Sequence, residues 1–372
     1  MRIGIDARLG LRSGVGRYTT ELLHWASTYA PEQSFVVFAK PRDLDQLTGL
    51  YKGRTNIEWI AVPGIPFRVH EHAAFISRLL QTRLDLLHVT FDYGVPLWLR
   101  VPVVLTVHDA WFEPETFFRS RWTKLYFQYM TKRGIRKATR IIAVSEFVKE
   151  KILTFCPWMQ ARAQDICVVP NGVGEEFSPA PGEGTGFDPL RAQDPYILYV
   201  GVLATIKNIM GLLDAYAHLR RIMPSAPRLV VAGKRDSSFP DPLPRVRELG
   251  LDEHVTLTGY VPDQALPDLY RRAALFVLPS FHEGFGIPIV EAMASGVPVV
   301  ASNRGGIPEV AAGVACLVNP MASQEMAEGM KAVLCDPAES RRMVKAGLQR
   351  AKQFSWKASA RRTLELYAQV GA

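Results

Sequence analysis

Cysteine is scarce in this chain of 372 residues, which contains only Cys156, Cys167, Cys316 and Cys335. No two of them form a Cys-x-x-Cys pair, and none is paired with a histidine at zinc-ligand spacing. This pattern excludes the common disulfide frameworks and zinc ribbons. We expect the four thiols to be buried apolar groups in a reducing cytosol.

Long apolar runs are also absent. No stretch of 18 or more apolar residues occurs in the sequence, whereas a membrane-spanning helix needs about 20. The opening residues MRIGIDARLG lack the apolar core of a secretory signal peptide. We therefore expect a cytoplasmic protein.

Acidic residues are outnumbered, mostly in the first half of the chain. The net charge is +8, and residues 1–180 contain 23 Lys and Arg against 17 Asp and Glu, whereas residues 181–372 contain 21 against 19. This surplus predicts an anionic partner for the first half. We do not expect that partner to be a nucleic acid. No DxD-like acidic pair lies directly beside the end of a predicted strand, so no metal site is predicted.

Short apolar runs separated by amphipathic stretches are abundant. Strands and helices alternate twice along the chain, which predicts an α/β protein with two doubly wound parallel sheets. We place the N-terminal domain at residues 1–178, a linker rich in Gly and Pro at 179–195, and the C-terminal domain at 196–354. The main predicted strands are Arg2–Asp6, Phe35–Ala39, Leu86–Val89, Val103–Val107, Tyr196–Val200, Leu229–Ala232, Leu275–Leu278 and Val297–Ala301.

The stretch Phe281–Ser302, which lies between two predicted strands, is the most informative one. Glu283 lies in the loop before a predicted helix, and Glu291 lies on that helix. Backbone N–H groups at a helix N-terminus attract phosphate, and Gly284 and Gly286 would allow close approach. A carboxylate accepts hydrogen bonds from vicinal hydroxyls, so the pair suits a sugar nucleotide. The alternative is an ordinary βαβ unit with two solvated glutamates.

Further candidates follow other predicted strands. His108 comes directly after Val103–Val107, where ligands of parallel sheets bind, although a capping or core histidine is an equal alternative. Lys207 follows a glycine turn at Gly201 and can reach a diphosphate, unless it is a solvated lysine. The remaining strand-end or glycine-turn candidates are Gly14, Gly16, Gly233, Lys234, Tyr260 and Val261.

The predicted helix Phe118–Arg140 has eight Lys or Arg and no acidic residue. Phe118, Trp122, Tyr126 and Tyr129 form one apolar stripe, which we expect to pack on the N-terminal sheet. The basic face is then either solvated or a surface for anionic membrane lipid or a phosphorylated acceptor.

The segments HEGFGIPIVEAMASGVPVVAS and GGIPEV closely resemble the donor-site signature of retaining glycosyltransferases of family 4. VVPNGV resembles the same family. The segments MRIGIDARLGLRSGVGRYTTELL and VGVLATIKN look most like bacterial mannosyltransferases of surface-polysaccharide assembly. The resemblance thus extends over most of the chain. It implies the GT-B fold, with two Rossmann-like domains facing across a cleft, and a final helix, residues 355–372, that returns to the N-terminal domain.

The resemblance also implies roles for the candidates. Glu283 and His108 would reach the transferred sugar, Glu291 the ribose and Lys207 the diphosphate. In the family an Arg often accompanies this lysine, but Val202 and Ile206 stand in its place here. The remaining donor contacts would come from Gly14 and Gly16 at the diphosphate, from Gly201, Gly233, Lys234, Tyr260 and Val261 around the nucleotide, and from Gly284, Phe285, Gly286 and Ile287.

The predicted reaction is hexosyl transfer, with retention and without a metal or cofactor, to a glycan or lipid-linked acceptor. GDP-mannose is the first donor and UDP-glucose the alternative. A sugar-nucleotide epimerase on the same fold and a non-catalytic sugar-nucleotide-binding protein are the rival classes. The basic N-terminal half predicts peripheral association with an anionic membrane at its cytoplasmic face.

Overall fold

The structure is a computed structural model that describes residues 1–10, 14–63, 69–96, 101–109, 121–180, 195–235 and 237–371. Contacts divide the chain into two compact units. Unit 1 comprises Met1–Asn171 and the C-terminal stretch from Trp356, and unit 2 comprises Gly172–Ser355. Each unit has one parallel sheet, so the predicted α/β class with two doubly wound domains is confirmed.

Unit 1 is built on a sheet of seven strands. These are β1 Arg2–Asp6, β2 Ser34–Ala39, β3 Ile57–Ala61, β4 Leu86–Val89, β5 Val103–Val107, β6 Arg140–Ala143 and β7 Ile166–Val168. Their order in the sheet is β3-β2-β1-β4-β5-β6-β7. Strands β1 to β3 are added toward one edge of the sheet and β4 to β7 toward the other, so the strand order reverses between β1 and β4. The helices are α1 Gly14–Tyr29, α2 Pro41–Leu50, α3 Val69–Gln81, α4 Arg121–Lys137 and α5 Glu146–Phe155.

The strands of unit 1 form the core. All five residues of β5 are buried, and Ile5 of β1 lies opposite Val37 of β2 and His88 of β4. Parallel strands covered by helices on both faces are apolar throughout, which is why these runs were recognisable.

Unit 2 repeats the arrangement with six strands in the order β10-β9-β8-β11-β12-β13. The strands are β8 Tyr196–Val200, β9 Leu229–Ala232, β10 Val255–Gly259, β11 Ala273–Leu278, β12 Val299–Ser302 and β13 Cys316–Val318. The helices are α6 Ile209–Ile222, α7 Pro242–Glu248, α8 Leu266–Arg271, α9 Ile287–Ala294, α10 Ile307–Ala311, α11 Ser323–Cys335 and α12 Pro337–Ala351. The reversal in this sheet lies between β8 and β11.

The last helix, α13 Trp356–Gly371, packs on unit 1. The Trp356 ring lies 6.2 Å from the Tyr18 ring of α1, and Lys357 lies 4.8 Å from the Trp25 ring. Tyr367 adds a buried hydrogen bond of 2.5 Å to His88 Nδ1. The end of the chain therefore contributes to the core of unit 1.

The boundary between the units falls at Gly172, earlier than the predicted end of the N-terminal domain at residue 178. Val173 N donates to Phe354 O at 3.3 Å. The Phe177 ring packs edge-on against Tyr270 at 5.7 Å, and Arg271 donates to the carbonyl of Ser178 at 3.3 Å. These contacts attach the segment after Asn171 to unit 2.

The expected packing of the aromatic stripe in α4 is wrong. Trp122 is 79% exposed and Tyr129 is 63% exposed, and Tyr126 is exposed as well. Phe118 lies outside the described residues. The buried side of α4 instead consists of the small and apolar residues Met130, Thr131, Gly134 and Ile135, and buried Ala138 follows the helix. Small residues let the helix approach the sheet closely, and the aromatic residues face outward.

The prediction of four buried thiols is also wrong in part. Cys156 is buried, Cys167 and Cys316 are half-buried, and Cys335 is exposed. Cys335 is the last residue of α11, where the chain turns into α12. In the part of the chain that the structure describes, no helix is both long and apolar enough to cross a membrane.

Candidate functional site

Two loops at the carboxyl edge of the unit 2 sheet bring Lys207 and Glu283 together. Lys207 ends the short 3-10 turn Thr205–Lys207 after β8, and Glu283 follows β11. Lys207 Nζ lies 2.7 Å from Glu283 Oε1. β8 and β11 are the neighbouring strands at which the strand order reverses, the position where open parallel sheets bind ligands.

Backbone and amide hydrogen bonds hold these loops in register. Phe281 N donates to Ile206 O at 2.9 Å. Asn208, in the left-handed region with φ 58°, donates its side-chain amide to Pro279 O at 3.2 Å and to Pro320 O at 2.7 Å. Lys207 is thus an ion-paired residue held by its loop, and the alternative of a solvated lysine does not describe it.

Glu283 is 8% exposed, and hydrogen bonds to one of its two carboxylate oxygens orient the side chain. Oε1 accepts from Lys207 Nζ and, at 2.8 Å, from Ser280 Oγ. Among the described residues no hydrogen bond reaches Oε2. This oxygen can therefore accept hydrogen bonds from the hydroxyls of a ligand.

The loop after β12 supports Glu283 from behind. Gly306 N donates to Glu283 O at 2.7 Å. Gly305 has φ +68°, and a Cβ there would lie 2.5 Å from Glu283 O. Only glycine fits this approach. Sequence reasoning identified neither this contact nor Ser280, because both depend on chain segments meeting in space.

Glu291 lies on α9, one turn after the helix begins, and is 2% exposed. The Tyr270 hydroxyl donates to its Oε2 at 2.9 Å. A buried carboxylate needs such partners because its desolvation is costly. The alternative of two solvated glutamates is therefore wrong for this stretch. Tyr270 was not predicted as a site residue, because a buried tyrosine on a helix is typical of the hydrophobic core.

The ends of β8, β9 and β10 form the next part of the edge. A Cβ at Gly233 would lie 1.8 Å from Gly201 O, so the turn after β9 requires glycine. Lys234 and Tyr260 are exposed, whereas Val261 is buried. Two side chains of this group are therefore exposed at the edge of the sheet, whereas Val261 belongs to the core.

The glycine turn before α9 packs against neighbouring residues through its own side chains. Gly286 has φ +93° and precedes the helix. Phe285 is buried and packs edge-on against Phe354 at 5.3 Å. Gly284 is buried and Ile287 is half-buried. A ligand contact at Phe285 would therefore come from its backbone.

His108 lies at the end of β5 in unit 1. Its Nε2 is 3.1 Å from Thr90 O, and since a carbonyl only accepts, we assign the proton to Nε2. The Tyr18 ring packs edge-on at 4.7 Å. Burial lowers the pKa of His108 to about 4. The imidazole is therefore neutral at pH 7, and Nδ1 is a hydrogen-bond acceptor.

The neighbouring His88 is a core residue. Nε2 lies 2.7 Å from Thr106 Oγ1, and Nδ1 is bonded to Tyr367, while burial lowers the pKa of His88 to about 3. In the predicted glycine turn before α1, residues 11–13 lie outside the described residues. Gly14 is exposed and Gly16 is buried, and both belong to α1.

Asp92 is a buried carboxyl group that sequence reasoning missed. Thr131 Oγ1 of α4 donates to its Oδ2 at 3.3 Å. Burial and, to a lesser extent, the nearby negative charge of Asp109 together raise the pKa of Asp92 to about 7. The carboxyl group is therefore partly protonated at neutral pH.

Asp92→Asn is expected to change how stability depends on pH. A raised pKa means that the contribution of Asp92 to folding is complete below about pH 4 and is lost as pH rises through about 7. The amide cannot ionise, so the variant should gain about 1–4 kcal/mol relative to wild type between pH 4 and pH 8. Urea unfolding across this range measures the difference. Asp252→Asn, at an exposed position, is the control. Parallel pH profiles for wild type and Asp92→Asn would contradict the assignment.

Two family models match most of the chain. The model described as Glycosyltransferase Family 4 matches residues 12–177, and the model described as Glycosyl transferases group 1 matches residues 187–350. The chain therefore belongs to the glycosyltransferases that these two models describe. The predicted family resemblance is confirmed.

Curated relatives of this glycosyltransferase include mannosyltransferases. O-antigen chain mannosyltransferase B of Escherichia coli is 39% identical over 177 residues, which cover 46% of this chain and 45% of the relative. GDP-mannose:cellobiosyl-diphosphopolyprenol alpha-mannosyltransferase of Xanthomonas campestris is 31% identical over 199 residues, which cover 52% of this chain and 48% of the relative. The glycosyltransferase thus matches less than half the length of either relative.

A solved structure with the same fold is Anabaena HepE in complex with UDP-glucose. The TM-score is 0.77 at 20% identity, and the match covers 99% of this chain and all of that chain. At this identity the match shows the fold alone, which is the predicted GT-B fold.

Proposed function

We propose that this glycosyltransferase moves a hexosyl group from a nucleotide diphosphate sugar to a glycan or lipid-linked acceptor. The observation that carries the proposal is the Lys207–Glu283 pair at the switch point of the unit 2 sheet. Lys207 can bind a diphosphate as a point charge. Glu283 Oε2 can accept hydrogen bonds from the hydroxyls of a sugar.

The proposed donor site uses the carboxyl edge of the unit 2 sheet. Glu291, oriented by Tyr270, accepts hydrogen bonds from the ribose. Tyr260 is exposed at the end of β10 and offers its ring to the nucleobase. Lys207 and the backbone N–H groups that begin α9 bind the diphosphate, and Glu283 binds the transferred sugar.

The proposed transfer retains the configuration of the anomeric carbon. The bond between that carbon and the diphosphate oxygen breaks, and the acceptor hydroxyl attacks from the same face. Its proton passes to the departing phosphate oxygen. Lys207 stabilises the charge that develops on the diphosphate, which is the main way in which such a site accelerates the reaction.

His108 is proposed to bind a sugar hydroxyl through Nδ1. Its neutral ring accepts a hydrogen bond there, and its only proton is donated to Thr90 O. With a pKa of about 4, His108 is not the acid that protonates the leaving group near pH 7.

We also propose that the reaction uses no metal ion and no cofactor, since Lys207 provides a positive charge at the diphosphate. Within the described residues, no three His, Cys, Asp or Glu side chains are grouped to hold a metal ion. Kinetics after treatment with a chelator tests this part of the proposal.

GDP-mannose is the proposed donor, because the named relatives are mannosyltransferases and one is named for GDP-mannose. A UDP-sugar is the second candidate, because the HepE structure contains UDP-glucose. A lipid-linked acceptor would place the enzyme at the inner face of the cytoplasmic membrane, which agrees with the basic surplus of residues 1–180.

The test is nucleotide binding by wild type and Glu291→Ala. Wild type at a GDP concentration of 100 times Kd should gain about 2.7 kcal/mol of stability, and UDP should give less. Loss of a charged hydrogen bond to the ribose in Glu291→Ala should weaken GDP binding roughly 10- to 150-fold by calorimetry. Glu328→Ala, at an exposed position of α11, is the matched control.

Binding of neither nucleotide by wild type would overturn the proposed function. Unchanged GDP affinity in Glu291→Ala would overturn the ribose assignment alone. Product analysis separates the rival classes, because an epimerase forms an epimer without acceptor, and a binding protein does not hydrolyse the donor.

A further inference from the structure

The face of α4 that points away from unit 1 is aromatic. Trp122, Leu125, Tyr126 and Tyr129 are all exposed large apolar side chains. They are spaced at i, i+3, i+4 and i+7, so they share one side of the helix. Scattered exposed apolar residues are ordinary, whereas a contiguous group on one helix indicates an interaction surface.

The opposite side of α4 is firmly seated on its domain. Met130, Thr131 and Ile135 are buried there, and Thr131 bonds Asp92. A Cβ at Gly134 would lie only 2.9 Å from Asp92 O, so the helix backbone approaches this loop closely. Because α4 packs on its domain through this side, the exposed rings on its aromatic side are accessible to solvent or to a surface.

Basic residues continue the same face toward the C-terminal end of α4. Arg133 and Arg136 follow Tyr129 at i+4 and i+7, and Lys137 lies beside them. The Arg136 guanidinium lies 4.8 Å from the ring of Trp158, which is itself exposed. Residues 121–137 contain no Asp or Glu.

We define the α4 face as Trp122, Leu125, Tyr126, Tyr129, Arg136 and Lys137, and we propose that it docks on the surface of an anionic phospholipid bilayer. Trp and Tyr rings prefer the boundary between headgroups and acyl chains. Arginine and lysine beside them attract anionic headgroups. This inference goes beyond glycosyl transfer and does not depend on the identity of the donor.

The composition of the α4 face favours a bilayer over a second copy of the chain. In a symmetric dimer the same face would meet itself. The face has two exposed cations and no carboxylate to pair with them. A bilayer with anionic lipid offers both an apolar layer for the rings and negative charge for the cations.

The first measurement is co-sedimentation of the full chain with vesicles of phosphatidylcholine, alone or mixed with phosphatidylglycerol. Wild type should bind the mixed vesicles far more strongly than the neutral ones, because only the mixed vesicles offer negative charge to the cations. Salt should weaken binding without abolishing it, because salt screens the cations and not the aromatic contacts. Equal binding to both vesicles, or none to the mixed ones, would overturn the proposal.

Two pairs of substitutions separate the contributions of the aromatic rings and of the cations to vesicle binding. Trp122→Ala with Tyr129→Ala should weaken partitioning at least about tenfold. Arg136→Gln with Lys137→Gln should weaken it roughly 25-fold, at about fivefold for each cation lost near the surface. The controls are Leu80→Ala, which is 76% exposed on α3, and Arg42→Gln with Lys52→Gln at exposed positions of unit 1. Control variants that lose as much binding would overturn the assignment to α4.

Fluorescence tests whether the ring contacts lipid. Trp122→Phe keeps an aromatic ring, so binding should persist, but the blue shift of the tryptophan emission on adding mixed vesicles should largely disappear. A blue shift of wild-type size in Trp122→Phe would overturn the proposed orientation.

Sedimentation velocity without lipid is the remaining measurement. A dimer that dissociates in Trp122→Ala with Tyr129→Ala would identify a second copy as the partner and overturn the proposal.

Discussion

Glu283→Gln is expected to lower kcat by roughly 100- to 1000-fold, while the Kd for GDP stays within about threefold of wild type. The amide keeps the size of the side chain but removes the negative charge that pairs with Lys207 at 2.7 Å. Because Glu283 is assigned to the transferred sugar, the loss should fall on turnover. Steady-state kinetics with GDP-mannose and calorimetry with GDP measure the two effects separately.

Two other variants make this result specific. Ser280→Ala removes one neutral hydrogen bond to Glu283 Oε1 and should cost only about fivefold in kcat. Glu328→Gln, at an exposed position, should leave kcat unchanged. A kcat near that of wild type in Glu283→Gln would remove this residue from the reaction, and an equal loss in GDP affinity would assign it to the nucleotide.

Lys207→Met is expected to weaken GDP binding about 10- to 150-fold and to leave guanosine binding nearly unchanged. Lys207 is the charge beside the proposed diphosphate, and its side chain is only 26% exposed, so water screens it poorly. Methionine keeps most of the apolar stem. The substitution also leaves Glu283 buried without its cation, which should lower the free energy of unfolding by about 1–3 kcal/mol.

Calorimetry with guanosine, GMP and GDP tests whether Lys207 acts through its charge. In that case the loss of affinity in Lys207→Met should increase with the number of phosphates on the ligand. Lys345→Met, an exposed lysine of α12, is the matched control and should change none of the three affinities. A similar loss for guanosine and GDP would show that Lys207 is a structural residue.

The strands and their order along the chain could be predicted because parallel strands buried on both faces are nearly continuous apolar runs. Leu86–Val89, Val103–Val107 and Tyr196–Val200 have the predicted bounds. Glu283, Lys207 and His108 could be proposed because each follows a strand end, where parallel sheets bind ligands.

The side of α4 that is buried could not be predicted. The stripe containing Trp122 and Tyr129 is the more apolar one, so composition favours burying it. The structure buries the side with Thr131 and Gly134 instead. Periodicity shows that a helix has two sides, but close approach of the backbone to a neighbouring loop decided which side faces the sheet.

By itself, the sequence determined the α/β class, the two sheets and the residue types at the candidate site, because these depend on local periodicity and short spacings. The tertiary structure alone decided the partners of those residues. Lys207 and Glu283 are 76 positions apart, and Tyr270 and Glu291 are 21 apart. The proton of His108 is assigned from its contact with the carbonyl of Thr90, which follows β4. No local pattern encodes such pairs, because the hydrogen bonds form only when loops and helices from separate parts of the chain meet in space.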